Sequence, residues 1–132
     1  MREILFRGKR EDNGEWIESG NLFVDEKCEK AQMLYGYTNY RISYDILPET
    51  VGQFTGLTDK NGKKIFEGDI IKSNIWAIPR IFTVRYCTAE CRFQLKNKEA
   101  HYGISNVGIS AYEIIGNIYD NPELLEANGG NS

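Results

Sequence analysis

The sequence predicts a mainly β protein in which antiparallel hairpins form a small SH3-like or pseudo-barrel fold, with an additional β-layer and a short C-terminal helical turn. Three observations predict this fold class. The 132 residues include 8 Tyr, 6 Phe and 13 Gly but only 3 Pro, a composition typical of strands joined by tight turns. Two Asn-Gly pairs lie between β-prone segments, as in antiparallel hairpins. Polar and apolar residues alternate along several short segments, which is the period of half-buried strands.

The N-terminal third predicts one hairpin followed by three strands. A strand begins at Ile4, and the turn at Asn13-Gly14 leads into a second strand with Trp16 or Ile17 pointing inward. The rest of this third is expected to contain strands at 21–24, 31–38 and 40–46, a bulge at Gly36, a surface loop at 25–30 and at most one helical turn at 48–50.

The central segment 53–72 has the densest pattern of turn residues. Asn61-Gly62 tolerates positive φ at two successive positions, which predicts a tight hairpin between strands at 53–57 and 63–66. The run 67–69 predicts a bend or bulge into a strand from Ile70 to about Ile75. A phosphate-binding loop is the alternative interpretation, but it requires a hydroxyl residue after Gly-Lys and a following helix. This chain has neither at Gly62-Lys63-Lys64, so the segment is interpreted as structural.

The C-terminal half predicts a second hairpin, a long connection and a final strand. Segment 81–87 is the most β-prone of the chain, and alternation in 91–96 places Cys91, Phe93 and Leu95 on one face. The remaining expectations are a loop or edge at 76–79, a polar connection at 97–108, a strand at 111–119 with a bulge at Gly116, and a short helix that starts at Asn121-Pro122.

An internal similarity appears when the sequence is shifted by 48 residues. The shift superposes Gly8 on Gly56, Asn13-Gly14 on Asn61-Gly62, Ile17 on Ile65, Gly20 on Gly68 and Leu22 on Ile70. Two copies of a unit made of hairpin, bend and strand would explain the match. Glycine-rich hairpins also resemble one another by necessity, and convergence of turn sequences is the preferred explanation.

The length fits one compact domain. We expect a single β-rich domain over residues 1–126, divisible into an N-terminal β subdomain at 1–50 and a central and C-terminal barrel at 51–126, with a disordered tail at 127–132. No segment is long and apolar enough to span a membrane, and the charged N-terminus does not fit a secretion signal. These features predict a cytoplasmic protein without a membrane partner.

The three cysteines do not form a recognisable framework. Cys28, Cys87 and Cys91 are an odd number, which argues against a disulfide-stapled secreted module and predicts reduced thiols. Cys87 and Cys91 could supply two metal ligands, but His101 is the only histidine and the spacing is not that of a zinc finger. Residues four apart on a strand share a face, so both thiols could also lie in the core. We predict no metal and no cofactor.

The charge distribution gives one candidate binding site. The net charge is −3, yet residues 60–98 carry nine basic side chains against three acidic ones. Aromatic residues accompany these cations, as in proteins that stack single-stranded bases on rings and bind phosphates with lysine and arginine. Lysines that solvate a strand face or protect a sheet edge are the more common explanation. The candidate nucleic-acid-binding residues are Lys63, Lys72, Trp76, Arg80, Arg85 and Arg92.

No arrangement of residues predicts catalysis. The chain has a single histidine and neither a Gly-x-Ser-x-Gly nor a His-Glu-x-x-His motif. His101 beside Tyr102 could titrate or bind a ligand, but a surface histidine is the preferred interpretation. Glu67 and Asp69 are close enough for an acid/base pair, although their position beside Gly68 favours a role in a turn. A hydrolase that uses this pair is therefore the weakest hypothesis, and we expect a protein that is not an enzyme.

Two long segments resemble the YopX family of phage and prophage proteins. They are 53–72, with its Asn61-Gly62 turn, and 114–125, with Gly116 and Asn121-Pro122; the opening residues 2–7 are also similar. The resemblance covers nearly the whole chain. It implies a small, mostly β protein carried by bacterial phages or prophages, a family with no established activity, and it carries over no catalytic residue.

Two function hypotheses follow. The first is a non-enzymatic accessory protein of phage origin that binds an unidentified protein partner in the cytoplasm of a bacterial host and self-associates into a homo-oligomer. Sheet edges favour pairing between copies, and aromatic residues are frequent at interfaces. The second is a small β-barrel that binds single-stranded nucleic acid through the basic segment.

Overall fold

A computed structural model of the chain describes residues 3–37, 40–105 and 110–127. The strands within these ranges pair in antiparallel fashion and form three sheets, which confirms the mainly β prediction. The sheets are open, and none of them closes into a barrel within the described residues. The chain divides into two compact units, Met1–Phe54 and Thr55–Ser132.

The first unit begins with a hairpin of strands β1 (Phe6–Lys9) and β2 (Trp16–Ser19). Its turn depends on Gly14, whose φ is +71°, a conformation that glycine adopts without steric cost. The side-chain oxygen of Asn13 accepts the Glu15 N–H at 2.9 Å, which closes the turn from the inside. The predicted hairpin is therefore confirmed, with the turn residues in their expected role.

A three-stranded sheet follows, in the order β3 (Leu22–Val24), β4 (Ala31–Tyr37) and β5 (Tyr40–Ile46). The pairing of β4 with β5 is unbroken from Ala31 opposite Ile46 to Tyr37 opposite Tyr40. The predicted bulge at Gly36 is therefore wrong, because Gly36 takes a regular place in the ladder opposite Arg41. The predicted end of this strand at Thr38 lies outside the described residues.

The core of the first unit is made by Ala31, Met33 and Ile46, all of them buried. Ile17 packs against this cluster, so it is the inward residue of the two that the sequence suggested. Its neighbour Trp16 lies on the opposite face of the hairpin, since successive side chains of a strand alternate. There the Trp16 ring is contacted by the Arg7 guanidinium at 4.8 Å.

A 3₁₀ turn at Pro48–Thr50 follows β5, as predicted for one helical turn. The buried Thr50 hydroxyl accepts the Lys9 N–H at 2.9 Å and donates to the Leu47 carbonyl at 2.6 Å. Strand β6 (Gly52–Thr58) then starts beside β1, with Gly52 opposite Arg7. The Thr50 contacts therefore fix the 3₁₀ turn against β1.

The second unit contains the rest of the sheet structure. Strand β7 (Lys64–Phe66) forms the predicted central hairpin with β6. The remaining strands are Asp69–Ser73 (β8), Arg80–Cys87 (β9), Arg92–Lys96 (β10), His101–Gly103 (β11) and Tyr112–Asn117 (β12). They form a five-stranded sheet of order β11-β10-β9-β8-β12.

Several boundaries of this unit differ from the prediction. Strand β8 ends at Ser73 instead of about Ile75, and β11 lies within 97–108, where the sequence predicted only a connection. Three residues are too few to show a strand period. The bulge near Gly116 is confirmed by a register shift between Ile114 and Gly116, and a short helix, α1 (Glu123–Ala127), is also present. The end of the predicted connection, 106–108, and most of the predicted tail, 128–132, lie outside the described residues.

The central hairpin turn is organised by Asp59, which is 4% exposed. One carboxylate oxygen accepts the N–H groups of Asn61 at 2.9 Å and Lys63 at 3.0 Å, and the other accepts the Ile114 N–H of β12 at 3.0 Å. Burial raises the pKa of Asp59, but these N–H donors, helped by the charge of Lys63, hold the pKa below its usual value. Gly62, with φ +81°, supplies the left-handed position of the turn.

The bend at 67–69 is also closed by a buried carboxylate, that of Asp69. Gly68 has φ +93°, and the buried Asp69 accepts the Phe66 N–H at 2.8 Å. The bend redirects the chain into β8, as predicted. It also aligns β8 with the core of this unit, which consists of Ile65, Ile71, Phe82, Val84, Leu95 and Tyr112.

Candidate interaction surface

One side of the five-stranded sheet faces the core, and the other carries most of the sheet's basic side chains beside the buried Ile70 and Ile81. Residues that are directly paired across an antiparallel sheet lie on the same face. Ile71 is paired with Phe82 and Val84 with Leu95, and these residues face the core. The alternate positions point to the other face, where Lys72 is paired with Ile81, Arg85 with Gln94 and Arg92 with Cys87.

The six predicted nucleic-acid-binding residues are divided by this alternation. Lys72, Arg85 and Arg92 share the face opposite the core. Arg80 and Trp76 belong to the core side, because Arg80 precedes Phe82 by two positions and Trp76 packs against Phe82. Lys63 is exposed in the central hairpin turn. The structure therefore brings three of the six together, and it places the aromatic residues and most of the cations on opposite faces.

The face opposite the core carries two further basic residues that were not among the six predicted ones. Lys96 and His101 are paired across β10 and β11 on this face. Arg92 forms an ion pair with Glu90 at 3.1 Å, whereas Lys72, Arg85 and Lys96 have no carboxylate partner within the part of the chain that the structure describes. The alternation of Arg92, Gln94 and Lys96 along β10 was the available signal. We call Lys72, Arg85, Arg92, Lys96 and His101 the basic face.

A second surface surrounds Trp76 in the loop between β8 and β9. The Trp76 ring lies 5.1 Å from the Tyr102 ring and 5.5 Å from the buried Phe82 ring, measured between centroids. The Arg80 guanidinium lies 4.8 Å above the Trp76 ring. Two ring contacts and one cation contact therefore hold the half-buried Trp76 ring in one position.

Large apolar side chains next to Trp76 are exposed. Ile75 is 52% exposed, Ile78 76% and Tyr102 37%. Pro79 cannot extend the β9 ladder, and the loop is tied to the sheet instead by the N–H of Asn74, which donates to the Ala111 carbonyl at 3.1 Å. Exposed apolar and aromatic side chains therefore lie on and beside a loop that is hydrogen-bonded to the sheet. We call Ile75, Trp76, Ile78, Arg80 and Tyr102 the Trp76 surface.

The residues considered for metal binding are dispersed. Cys91 is exposed in the turn before β10 with φ +53°, so the expectation that it could lie in the core with Cys87 is wrong. The cause is that Cys91 belongs to the turn and not to the strand, so the face alternation does not apply to it. Within residues 3–37, 40–105 and 110–127, no three His, Cys, Asp or Glu side chains are placed to hold a metal ion.

The carboxylates considered for catalysis occupy the bend before β8. Asp69 is 2% exposed and bonded to the Phe66 N–H, and Glu67 is half-buried. His101 is exposed on β11, opposite Lys96. The Asp69 contact is that of a turn-closing residue.

Among the described residues, no helix has the length and apolar character that a membrane span requires.

Comparison with known proteins gives one family and a structural neighbour. The family model described as YopX protein matches residues 5–126. The crystal structure of protein EF1440 from Enterococcus faecalis is similar, with 26% sequence identity, a TM-score of 0.62, and coverage of 95% of this chain and 99% of that chain. No curated protein matches.

Proposed function

The chain belongs to the YopX family, and from this premise we propose that it is a non-enzymatic accessory protein, of phage or prophage origin, that binds a protein partner through the Trp76 surface. The proposed setting is the cytoplasm of a bacterial host. The observation that carries the proposal is the exposure of Ile75 and Ile78 around a tryptophan that Phe82, Tyr102 and Arg80 hold in place.

The composition of the Trp76 surface supports protein binding. Interface residues that contribute most to affinity are enriched in Trp, Tyr and Arg and are surrounded by contacts that exclude water. Here Ile75 and Ile78 flank the tryptophan and would form such a rim. Preorganisation also favours binding, because the ring contacts already fix Trp76 and little side-chain entropy remains to be lost.

The test is capture of host proteins by the intact chain. We compare the wild type with Ile75→Ser/Ile78→Ser, and use Ile4→Ser/Val24→Ser as the matched control, since Ile4 and Val24 are also exposed apolar residues. We expect a specific partner to be retained by the wild type and the control but lost by the Trp76-surface variant. Equal retention by all three proteins would refute the proposed surface.

Single-stranded nucleic acid binding is the second candidate, and it is supported by the unpaired cations of the basic face. Lys72, Arg85 and Lys96 have no carboxylate partner among the described residues. The described strands β8 to β11 place no aromatic side chain on that face, so phosphate contacts would supply the binding without base stacking.

The anisotropy of a labelled oligothymidine at low salt tests this candidate. If it is right, the dissociation constant rises steeply with added salt, and Arg85→Ser/Lys96→Ser weakens binding. The absence of binding at low salt would reject it.

The weakest hypothesis, a hydrolase that uses Glu67 and Asp69, is tested by the substitution Glu67→Gln. If this substitution changes only the stability of the protein and no other measured property, the hydrolase hypothesis is rejected.

A further inference from the structure

A groove of about 550 Å³ opens on the surface of the first unit. Four of the residues that line it are acidic, Lys30 is the cation among them, and Ala31 and Ile46 form its buried floor. Phe23 also lines the groove and is 65% exposed. The acidic residues are Glu11, Asp25, Glu29 and Asp45.

Two of these carboxylates are already engaged. Asp25 accepts the N–H groups of Glu29 at 2.7 Å and Lys30 at 3.1 Å, and Asp45 accepts the Gln32 amide at 3.0 Å. Within the described part of the chain, the side chains of Glu11 and Glu29 have no hydrogen bond or ion pair. The groove therefore offers two carboxylates beside an exposed aromatic ring.

The net charge of the chain arises in the unit that contains this groove. Residues 1–54 carry ten acidic and seven basic side chains, and residues 55–132 carry nine of each, so the first unit accounts for the net charge of −3. A cationic partner would therefore be attracted both by the local carboxylates and by the charge of the whole unit.

The second unit presents a convex element of the opposite charge. The tip of the central hairpin, residues 60–64, is exposed throughout and contains Lys60, Lys63 and Lys64. The only acidic residue of the turn, Asp59, points inward to three N–H groups and is buried. Lys60 approaches Glu113 at 3.8 Å, and Lys63 forms no ion pair with another described residue. The tip thus exposes three lysine side chains, while the carboxylate of its own turn points inward.

We propose that the hairpin tip of one copy, residues 60–64, docks into the acidic groove of a second copy. The lysine ammonium groups would face Glu11 and Glu29, and an aliphatic lysine stem would cover the Phe23 ring. The occupant is a second copy because this chain itself supplies a lysine-rich projection of matching charge. The contact does not use the Trp76 surface, so it stands or fails independently of the proposed partner binding.

This contact joins two different surfaces, which makes it heterologous and permits growth beyond two copies. It therefore has a property that a symmetric contact lacks. A chain with a defective groove still presents a good tip, and a chain with a defective tip still presents a good groove. The two defective chains can pair with each other once and no further.

The experiment is sedimentation velocity of the full chain over a concentration series, at salt of about 50 mM and about 500 mM. The groove variant is Glu11→Lys/Glu29→Lys, and the tip variant is Lys60→Ser/Lys63→Ser/Lys64→Ser. The controls are Glu99→Lys/Glu123→Lys and Lys98→Ser, which change exposed charges elsewhere. Thermal melting of each variant checks that it is folded.

We expect the wild type and both controls to self-associate at low salt and to dissociate at high salt. Each variant alone should show a dissociation constant at least about tenfold higher, and an equimolar mixture of the two should form a 1:1 dimer and nothing larger. A wild type that stays monomeric at low salt would overturn the proposal, and so would a mixture that stays monomeric. A lysine-rich peptide can also be titrated into the wild type. If the peptide binds the groove but the wild type itself does not self-associate, the groove belongs to a different partner and the proposal is overturned.

Discussion

The carboxylate of Asp59 joins two segments that lie 55 residues apart, the central turn and strand β12. Sequence reasoning assigned this turn to positive φ at both Asn61 and Gly62, but only Gly62 adopts it, with φ +81°, so the assignment is right for Gly62 and wrong for Asn61. It could not find the role of Asp59, because the third N–H donor, Ile114, becomes a neighbour only after the chain has folded. Local turn residues are predictable from sequence, but a contact that depends on long-range pairing is not.

Replacing Asp59 with Asn tests whether this carboxylate stabilises the turn and its contact with β12. An amide has a single acceptor oxygen, so at least one buried N–H loses its partner, and we expect a loss of about 1–3 kcal/mol in the free energy of unfolding. Urea denaturation at pH 7 measures the loss. As a control, Asp12→Asn changes an exposed carboxylate and should have less than half the effect. Equal losses of unfolding free energy in the two variants would contradict a stabilising role for the Asp59 carboxylate.

The pH dependence of stability follows from the lowered pKa of Asp59. A group with a lower pKa in the folded state contributes stability above its unfolded pKa of about 3.9, and that contribution is lost as the pH falls through the folded value. We expect the wild type to lose stability in acid more steeply than Asp59→Asn. Parallel pH profiles of the two proteins between pH 7 and pH 2 would show that Asp59 contributes nothing in this window.

Gly8 is required for a different reason from the turn glycines. A Cβ at this position would lie 2.5 Å from Cγ2 of Ile46, in the core of the first unit. Gly8→Ala should therefore cost about 1–3 kcal/mol by overpacking. Ile46→Leu moves the branch away from Gly8, so the double variant should lose less than the sum of the two single losses. Additive losses, measured by chemical denaturation, would contradict this explanation.

At the scale of elements, the turn between β9 and β10 contains a residue under backbone strain. Cys91 adopts φ +53°, a left-handed conformation that costs a residue with a Cβ about 1–2 kcal/mol. Cys91→Gly should therefore be more stable than Cys91→Ala by about 0.5–1 kcal/mol, allowing for the flexibility that glycine adds to the unfolded chain. Both variants lose the thiol, so the comparison isolates the backbone. Equal thermal midpoints would contradict the assignment.

The elements differ in how far the sequence determines them. Hairpins with Asn-Gly turns and the bulge near Gly116 were predictable, because each depends on residues within a few positions. Strand β11 was not, because its pairing with β10 defines it and three residues show no period. The division of cations and rings between two faces follows from alternation along β9 and β10, once their register is known.

At the scale of the whole molecule, the order of elements agrees with the internal similarity in the sequence. Strands β1 to β5 and β6 to β10 each run as a hairpin followed by strands paired in chain order. Gly14 and Gly62, which lie 48 residues apart, have φ of +71° and +81°. The other superposed glycines differ, because Gly56 and Gly68 have positive φ whereas Gly8 and Gly20 do not. The common order therefore fits both a repeated unit and convergence of turn sequences, and the five-stranded sheet extends beyond that unit through β11 and β12.

The central claim is that this YopX protein works by binding a protein partner through the Trp76 surface. Backbone hydrogen exchange of the intact chain, alone and in its captured complex, measures this most directly. The account predicts slower exchange in the complex at residues 74–79 and in β11, with the first unit unchanged. A complex in which exchange slows only outside these two segments would contradict the claim.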